Sequence, residues 1–240
     1  MKLTFLGTRG NIETKTDRHR MHSSLMVTYY GRKVLIDCGE DWLGRVAELN
    51  PRALVVTHAH PDHAWGLKNG ASCPVYATRE AWRGMADFGV QDRRVVVLRE
   101  PIEIEGMAFE AFPVDHSTRA PAVGYRISAG RVSIFYVPDV VWIHDREAAL
   151  VEAKLYIGDG ATVTRPMVRK IGGALIGHTP LRTQLTWCQK MGVPWAIFTH
   201  LGSEVVEGDP QAVEAEIQSL AQERGVKVQV AYDGMAVILR

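Results

Sequence analysis

Three imidazoles and a carboxylate crowd into the segment Val56-Thr57-His58-Ala59-His60-Pro61-Asp62-His63, directly after the apolar run Ala53-Leu54-Val55-Val56. Neutral imidazole together with carboxylate suits zinc and its borderline neighbours. So dense a cluster on a turn leaving a buried strand is costly unless a cation sits among the rings. It reads as half of a metal site, and the rest must come from elsewhere in the chain. Four more positions qualify by where they sit. Asp37 ends Val34-Leu35-Ile36, His116 follows Phe112-Pro113-Val114-Asp115, Asp139 follows Ile134-Phe135-Tyr136-Val137-Pro138, and His200 follows Ala196-Ile197-Phe198-Thr199. If these runs are roughly parallel strands of packed sheets, their ends converge on one edge, where α/β proteins build their sites.

The elements that must position these residues can be read coarsely. Early strands are expected at Lys2–Leu6, Ser24–Tyr29, Lys33–Ile36 and Ala53–Val56. Later ones are expected at Val95–Leu98, Met107–Val114, Val123–Ile127, Val132–Val137, Leu155–Ile157, Trp195–Thr199, Lys227–Ala231 and Met235–Leu239. Helices are expected over Trp42–Leu49, Arg79–Arg83, Val163–Lys170 and Leu181–Lys190. The clearest helix follows Asp209 as its cap and Pro210 in its first turn, ends near Gly225, and carries Val213, Ile217, Leu220 and Ala221 on one face. Strands followed by loops and single helices predict two sheets covered by helices.

With 240 residues the chain can bury a full core, and no linker or repeat divides it, so residues 1–240 read as a single domain. Its 28 basic and 27 acidic residues leave a net charge of +1, which advertises no large polyanion-binding surface. No apolar run reaches the length of a signal peptide core or a membrane span, so a cytoplasmic, membrane-free protein is expected. Cys38, Cys73 and Cys188 are far apart and odd in number, which suggests free thiols rather than a disulfide framework or zinc ribbon.

The segment His58-Ala59-His60-Pro61-Asp62-His63 resembles the His-x-His-x-Asp-His signature of the metallo-β-lactamase fold superfamily. The later His, Asp and His of that family are matched in order by His116, Asp139 and His200, and its upstream strand-end Asp by Asp37. The resemblance implies an α+β fold, a four-layer αββα sandwich of two mixed sheets flanked by helices. It also implies two divalent metal ions. His58, His60 and His116 would hold one; Asp62, His63 and His200 the other, with Asp139 bridging. Zinc is the first expectation, with manganese and iron compatible with the same donors. Such a pair lowers the pKa of its water towards about 7 and traps a bridging hydroxide as nucleophile. Asp37 would orient a ligand or a site water from behind, and Asp62 is counted with the catalytic residues as well as with the ligands.

The superfamily hosts many reactions. Asp139 stands where true β-lactamases carry a cysteine ligand, and His60 where oxygen-reducing diiron members carry a glutamate, so lactam and redox chemistry are disfavoured. Ile176-Gly177-His178-Thr179-Pro180 resembles the Gly-His-Ser/Thr segment of the phosphodiesterase branch, which includes ribonuclease Z and the phosphoribosyl cyclic phosphodiesterases. There the histidine contacts phosphate and acts as general acid, as expulsion of an alkoxide requires. Asp159, in Gly158-Asp159-Gly160, is the candidate partner of His178.

The expected substrate is a small or cyclic phosphodiester or a nucleotide end. The span from His116 to Asp139 is too short for the long tRNA-binding arm of ribonuclease Z, and a homodimer is left open. Arg18, Arg20 and His22, in the loop after Gly7-Thr8-Arg9-Gly10-Asn11, are candidate substrate contacts, since guanidinium forks suit phosphate. His19 and His144 are assigned to the surface. Two rival readings are a glyoxalase-type ester, thioester or lactone hydrolase and a catalytically silent metal-binding module.

Overall fold

Alternating side chains build this protein as four layers. The computed structural model describes all 240 residues. Its first sheet contains β1 (Lys2–Gly7), β2 (Ser24–Tyr29), β3 (Arg32–Ile36), β4 (Ala53–Val55), β5 (Val75–Ala77) and β6 (Arg93–Val95), side by side in that order. The second contains β7 (Ile102–Ile104), β8 (Met107–Asp115), β9 (Ala122–Ala129), β10 (Val132–Tyr136), β11 (Trp142–Ile143) and β12 (Leu155–Asp159). A separate hairpin, β13 (Met167–Ile171) and β14 (Ala174–His178), stands apart from both. β15 (Trp195–Thr199) and β16 (Lys227–Val230) complete the second sheet, and β17 (Ala236–Ile238) flanks β1 in the first.

Each sheet is antiparallel on one side and parallel on the other. β3, β4, β5 and β6 run parallel, as do β10, β12, β15 and β16. Period-2 alternation splits each strand between two cores. In β3 and just beyond β4, Val34, Ile36 and Val55 face the space between the sheets, while Leu35, Leu54 and Val56 face outward. In the second sheet Ile134, Tyr136, Ile157 and Ile197 point inward, and Phe135, Tyr156, Ala196 and Phe198 point outward. Strands buried on both faces read as unbroken apolar runs, which is why they were legible. Each large side chain so buried contributes roughly 1.5–3 kcal/mol.

The outer faces are covered by short helices. α1 (Pro61–Ala64) and α2 (Arg79–Gly84) belong to the first half, and Trp82 of α2 joins the outer core of the first sheet. α3 (Arg146–Leu150), α4 (Leu181–Met191), α5 (Ser203–Val206) and α6 (Pro210–Gln222) belong to the second. α6 begins as expected: the Asp209 side chain accepts from the Ala212 amide, Pro210 opens the first turn, and Ile217 and Ala221 are buried. No helix is long and apolar enough to cross a membrane. The observed layering is the αββα sandwich expected.

Three expected elements differ. Trp42–Leu49 forms two short 3₁₀ turns, Glu40–Trp42 and Val46–Leu49, with Gly44 at φ +76° between them. The strand expected at Val95–Leu98 is shifted to Arg93–Val95. Val163–Lys170, expected as a helix, instead leads into the β13–β14 hairpin. Pro166 lacks the N–H an inner helical turn needs, and Gly172-Gly173, both at positive φ, form the turn that pairs the two strands.

Candidate metal centre

The parallel halves of both sheets aim the same strand ends at one edge. Asp37 follows β3, His58 follows β4, His116 follows β8, Asp139 follows β10, Asp159 ends β12 and His200 follows β15. All six are buried. Asp37 and His200 take left-handed backbone, at φ 59° and 53°. Such conformations cost a non-glycine residue of order 1–3 kcal/mol. Packing that overrides this preference twice at one edge fixes the direction of both side chains.

The donor atoms expected to hold metal fall into two groups, and a third, overlapping group joins Asp139 and His200 to Asp159 and His178. His58 Nε2 lies 3.0 Å from His60 Nδ1, which lies 3.2 Å from His116 Nε2. Asp62, His63, Asp139 and His200 form the second group, each offering one atom within 4.8 Å of the others. Asp139 stands between the groups: its Oδ2 is 2.7 Å from His63 Nε2, 3.2 Å from His58 Nε2 and 4.0 Å from His116 Nε2. His63 Nε2, His200 Nδ1 and Asp139 Oδ1 are buried with no hydrogen-bond partner. Convergent, orphaned donors of this kind are what a bound cation satisfies.

Hydrogen bonds behind the donors fix which nitrogen faces inward. Asp37 Oδ2 accepts from His63 Nδ1 at 2.8 Å, leaving Nε2 for the centre. The same carboxylate accepts from the Thr57 amide and hydroxyl, and Thr57 Oγ1 lies 3.0 Å from His58 Nδ1. One aspartate thus orients one histidine directly and another through a threonine, as outer partners of metal sites do. His116 Nδ1 donates to the Gly177 carbonyl at 3.0 Å, while the Gly177 amide donates to the His116 carbonyl at 2.8 Å. Gly177 sits at φ +110°, and a Cβ there would lie 1.9 Å from the Met167 carbonyl oxygen, so only glycine fits.

The electrostatics agree with the geometry. Burial holds His58, His60 and His116 towards the neutral, donor-ready form, His60 down to about 4. Burial opposes charge on Asp62 and Asp139, yet the surrounding imidazoles outweigh it and hold both well below the usual carboxylate range. Burial likewise works against charge on His63, His178 and His200, but the carboxylates beside them prevail. Asp62 raises His63, Asp159 raises His178, and Asp139 lifts His200 to about 10. Around Asp62, Asp139 and Asp159 positive charge is stabilised, while His58, His60 and His116 are kept neutral as metal-ligating imidazoles must be.

His178, at the end of β14, stands beside the donors. Its Nδ1 donates to Asp159 Oδ2 at 2.8 Å and lies 3.3 Å from Asp139 Oδ1, which leaves Nε2 for a substrate atom. Asp159, the candidate partner of His178 in the sequence, is the buried last residue of a central strand, and it also accepts from the Val140 and Ala161 amides. The residue that sequence reasoning missed is Gln184. Fully buried on α4, it donates to the carbonyls of Asp159 and Thr179, and its Oε1 accepts from the Asp159 amide and the Tyr156 hydroxyl. It ties both sides of the His178–Asp159 pair together. A glutamine inside an amphipathic helix gives no sequence signal for this. Gln184→Leu leaves four buried polar groups unpaired, and urea unfolding is expected to show a loss of at least about 3 kcal/mol, together with slower turnover.

The cavity over the donors has a volume of about 260 Å³ and is lined by His60, Asp62, His116, Asp139, His178 and His200. Asn11 and Ile12 form one lip, Arg165 and Met167 another, and Ser203 and Glu204 a third. Gly10 lies against His200: a Cβ there would meet the ring at 3.1–3.3 Å. The loop expected to touch substrate does reach the mouth, but through residues other than Arg18, Arg20 and His22. Arg18 lies over the Tyr232 ring, Arg20 pairs with Asp17 away from the cavity, and His22 is buried with its Nδ1 2.8 Å from Asp41. Asp41 also pairs with Arg9 at 2.6 Å and Lys15 at 2.7 Å, so the arginine and histidine types there serve to pin the loop. His19, expected on the surface, is buried beside Thr8; His144 is exposed and pairs with Asp115.

Comparison with known proteins places this geometry in context. A family model described as the beta-lactamase superfamily domain matches residues 32–201. A ribonuclease Z from Methanopyrus kandleri is 28% identical, covering 99% of this chain and 98% of its own. Among solved structures, the metallo-β-lactamase fold protein YhfI from Bacillus subtilis superposes with a TM-score of 0.77 at 16% identity, covering 98% of both chains. A diphosphatase of the PhnP family superposes with a TM-score of 0.72 at 22% identity, covering 98% of this chain and 96% of that one.

Proposed function

The chain belongs to the beta-lactamase superfamily as a metal-dependent hydrolase, and from that premise we propose that it is a dinuclear phosphodiesterase. His58, His60 and His116 would hold one ion, Asp62, His63 and His200 the other, with Asp139 shared between them. Zinc is the metal this His/Asp set favours first. When bound, the pair supplies a nucleophile near neutral pH and offsets charge on the phosphoryl oxygens.

The observation that carries the reading is the His178–Asp159 pair at the cavity wall. Asp159 holds Nδ1, so Nε2 is the nitrogen that meets substrate, and its proton goes to the departing alkoxide oxygen. Thioesters and activated esters expel stable anions and need no such acid. Relatives named ribonuclease Z and a diphosphatase neighbour support phosphorus rather than carbonyl chemistry. The cavity, at about 260 Å³, is slightly smaller than the roughly 300–1,000 Å³ of pockets that enclose a drug-sized ligand, which suits a small diester or one end of a longer one.

The test is a panel on metal-loaded protein: bis(p-nitrophenyl) phosphate beside a thioester and a lactone. Turnover of the phosphodiester with the other two at background is expected. The reverse pattern would replace the proposal with a glyoxalase-type activity, and metal binding without any turnover would leave a silent binding module.

A further inference from the structure

One carboxylate at the cavity mouth has no part in holding metal or moving a proton. Glu204 is exposed and lines the cavity. Its place is fixed from two sides. Along the chain it follows His200 by four residues, and the turn between them is locked at Gly202, where a Cβ would lie 2.1 Å from the Ala161 carbonyl oxygen. Across the mouth its Oε2 accepts from the Thr162 hydroxyl at 2.7 Å and the Val163 amide at 2.9 Å. Thr162 and Val163 are themselves buried, and their carbonyls accept from the Leu181 and Arg182 amides of α4. A glutamate held through one oxygen keeps the other, Oε1, as an acceptor for a ligand. Arg165, the only arginine or lysine lining the cavity, makes no ion pair with Glu204, so the carboxylate is not neutralised within the protein.

From this placement we infer that Glu204, with Ser203 and Asn11, forms a subsite for hydroxyl groups on one alcohol of the substrate, and that the preferred diester is that of a polyol. The inference rests on the phosphodiesterase reading and adds the chemical class of the alcohol. A carboxylate repels the phosphodiester anion beside it, so its place is unfavourable unless the same substrate bonds to it. A hydroxyl group recovers that loss as a donor to Oε1. Ser203 and Asn11 are exposed at the same mouth and offer donors as well as acceptors, the mixture a polyol needs. Other alcohols fit less well. No Phe, Tyr or Trp lines the cavity, so nothing there stacks on a base or cages a quaternary ammonium head. The apolar lining is Ile12, Ala161 and Met167, which gives an alkyl chain little to bury against.

The test uses the full, metal-loaded chain and the p-nitrophenyl phosphodiesters of glycerol, 1-propanol and choline. The first two differ only in hydroxyl groups. Release of p-nitrophenolate gives kcat/KM for the parent and for Glu204→Gln. The amide keeps an oxygen for Thr162 and Val163 and puts a donor where Oε1 accepted. The parent is expected to favour the glyceryl over the propyl ester at least about tenfold, the worth of one hydrogen bond to a charged group. In Glu204→Gln the glyceryl ester is expected to fall about fivefold or more. The propyl ester is expected to rise, because the repelling charge is gone. A parent that does not distinguish these two esters, or that prefers the choline ester, overturns the subsite. An equal fall on both esters in the variant makes Glu204 a support for the Thr162–Val163 turn, and an equal rise makes it a repelling charge alone; either result overturns the subsite as well. A parent that turns over none of the three diesters removes the phosphodiesterase reading itself, whatever the variant does.

Discussion

His178→Ala is expected to lower turnover of alkyl phosphodiesters by about 10²–10⁴-fold, the usual contribution of a positioned general acid. Bound metal is expected to stay at the parental level. His178 approaches Asp139 through the nitrogen held by Asp159, and the residue lines the cavity. Parallel kinetics with bis(p-nitrophenyl) phosphate separate the acid from a general loss of the site. p-Nitrophenolate leaves without a proton, so the variant should lose far less on that substrate than on a dialkyl diester. Equal losses on both, or loss of metal, would reassign His178 to holding the site together.

Removal of metal by a chelator is expected to abolish turnover and to lower the melting temperature. A ligand bound only to the folded state at 1,000 times its dissociation constant contributes about 4 kcal/mol. With roughly 2–4 °C per kcal/mol for a chain of this size, the melting temperature should drop by roughly 8–16 °C. The physical source is at the strand ends. Asp62 and Asp139 are buried and held well below the usual carboxylate range, and Asp139 Oδ1 and the neighbouring His63 Nε2 and His200 Nδ1 have no hydrogen-bond partner. Calorimetry before and after chelation measures the drop, and re-addition of zinc, manganese or iron shows which ion restores both quantities. A melting temperature indifferent to chelation would show that the donors are reconciled by the protein alone.

The strand ends were legible because burial on both faces turns β3, β4, β10, β12 and β15 into apolar runs, and a polar residue breaking such a run is conspicuous. Asp37, His58, His116, Asp139 and His200 were found in this way, and His178 through its Gly-His-Thr segment. What stayed hidden depends on contacts between residues far apart in the chain. Gln184 looks like any polar helix residue until Tyr156, Asp159 and Thr179 surround it. Arg18, Arg20 and His22 looked like phosphate ligands by type; in the structure Arg18 lies over Tyr232, Arg20 pairs with Asp17 and His22 with Asp41, and none of the three lines the cavity. The helix expected over Val163–Lys170 failed on local grounds already present: Pro166 within it and the Gly172-Gly173 pair just beyond favour a hairpin.

The stitch between His116 and Gly177 runs through main-chain carbonyls and amides on the hairpin side. Peptide groups make those bonds whatever side chains the neighbouring residues carry. The hairpin can therefore exchange Met167, Arg169, Ile171 or Ile176 without loosening a metal-facing imidazole, provided Gly177 is kept. The orientation of His116 is thus independent of the side chains this ribbon carries. A library randomised at Arg169, Ile171 and Ile176 is therefore expected to leave the His116 ring where it is, whereas replacing Met167 also reshapes the cavity wall.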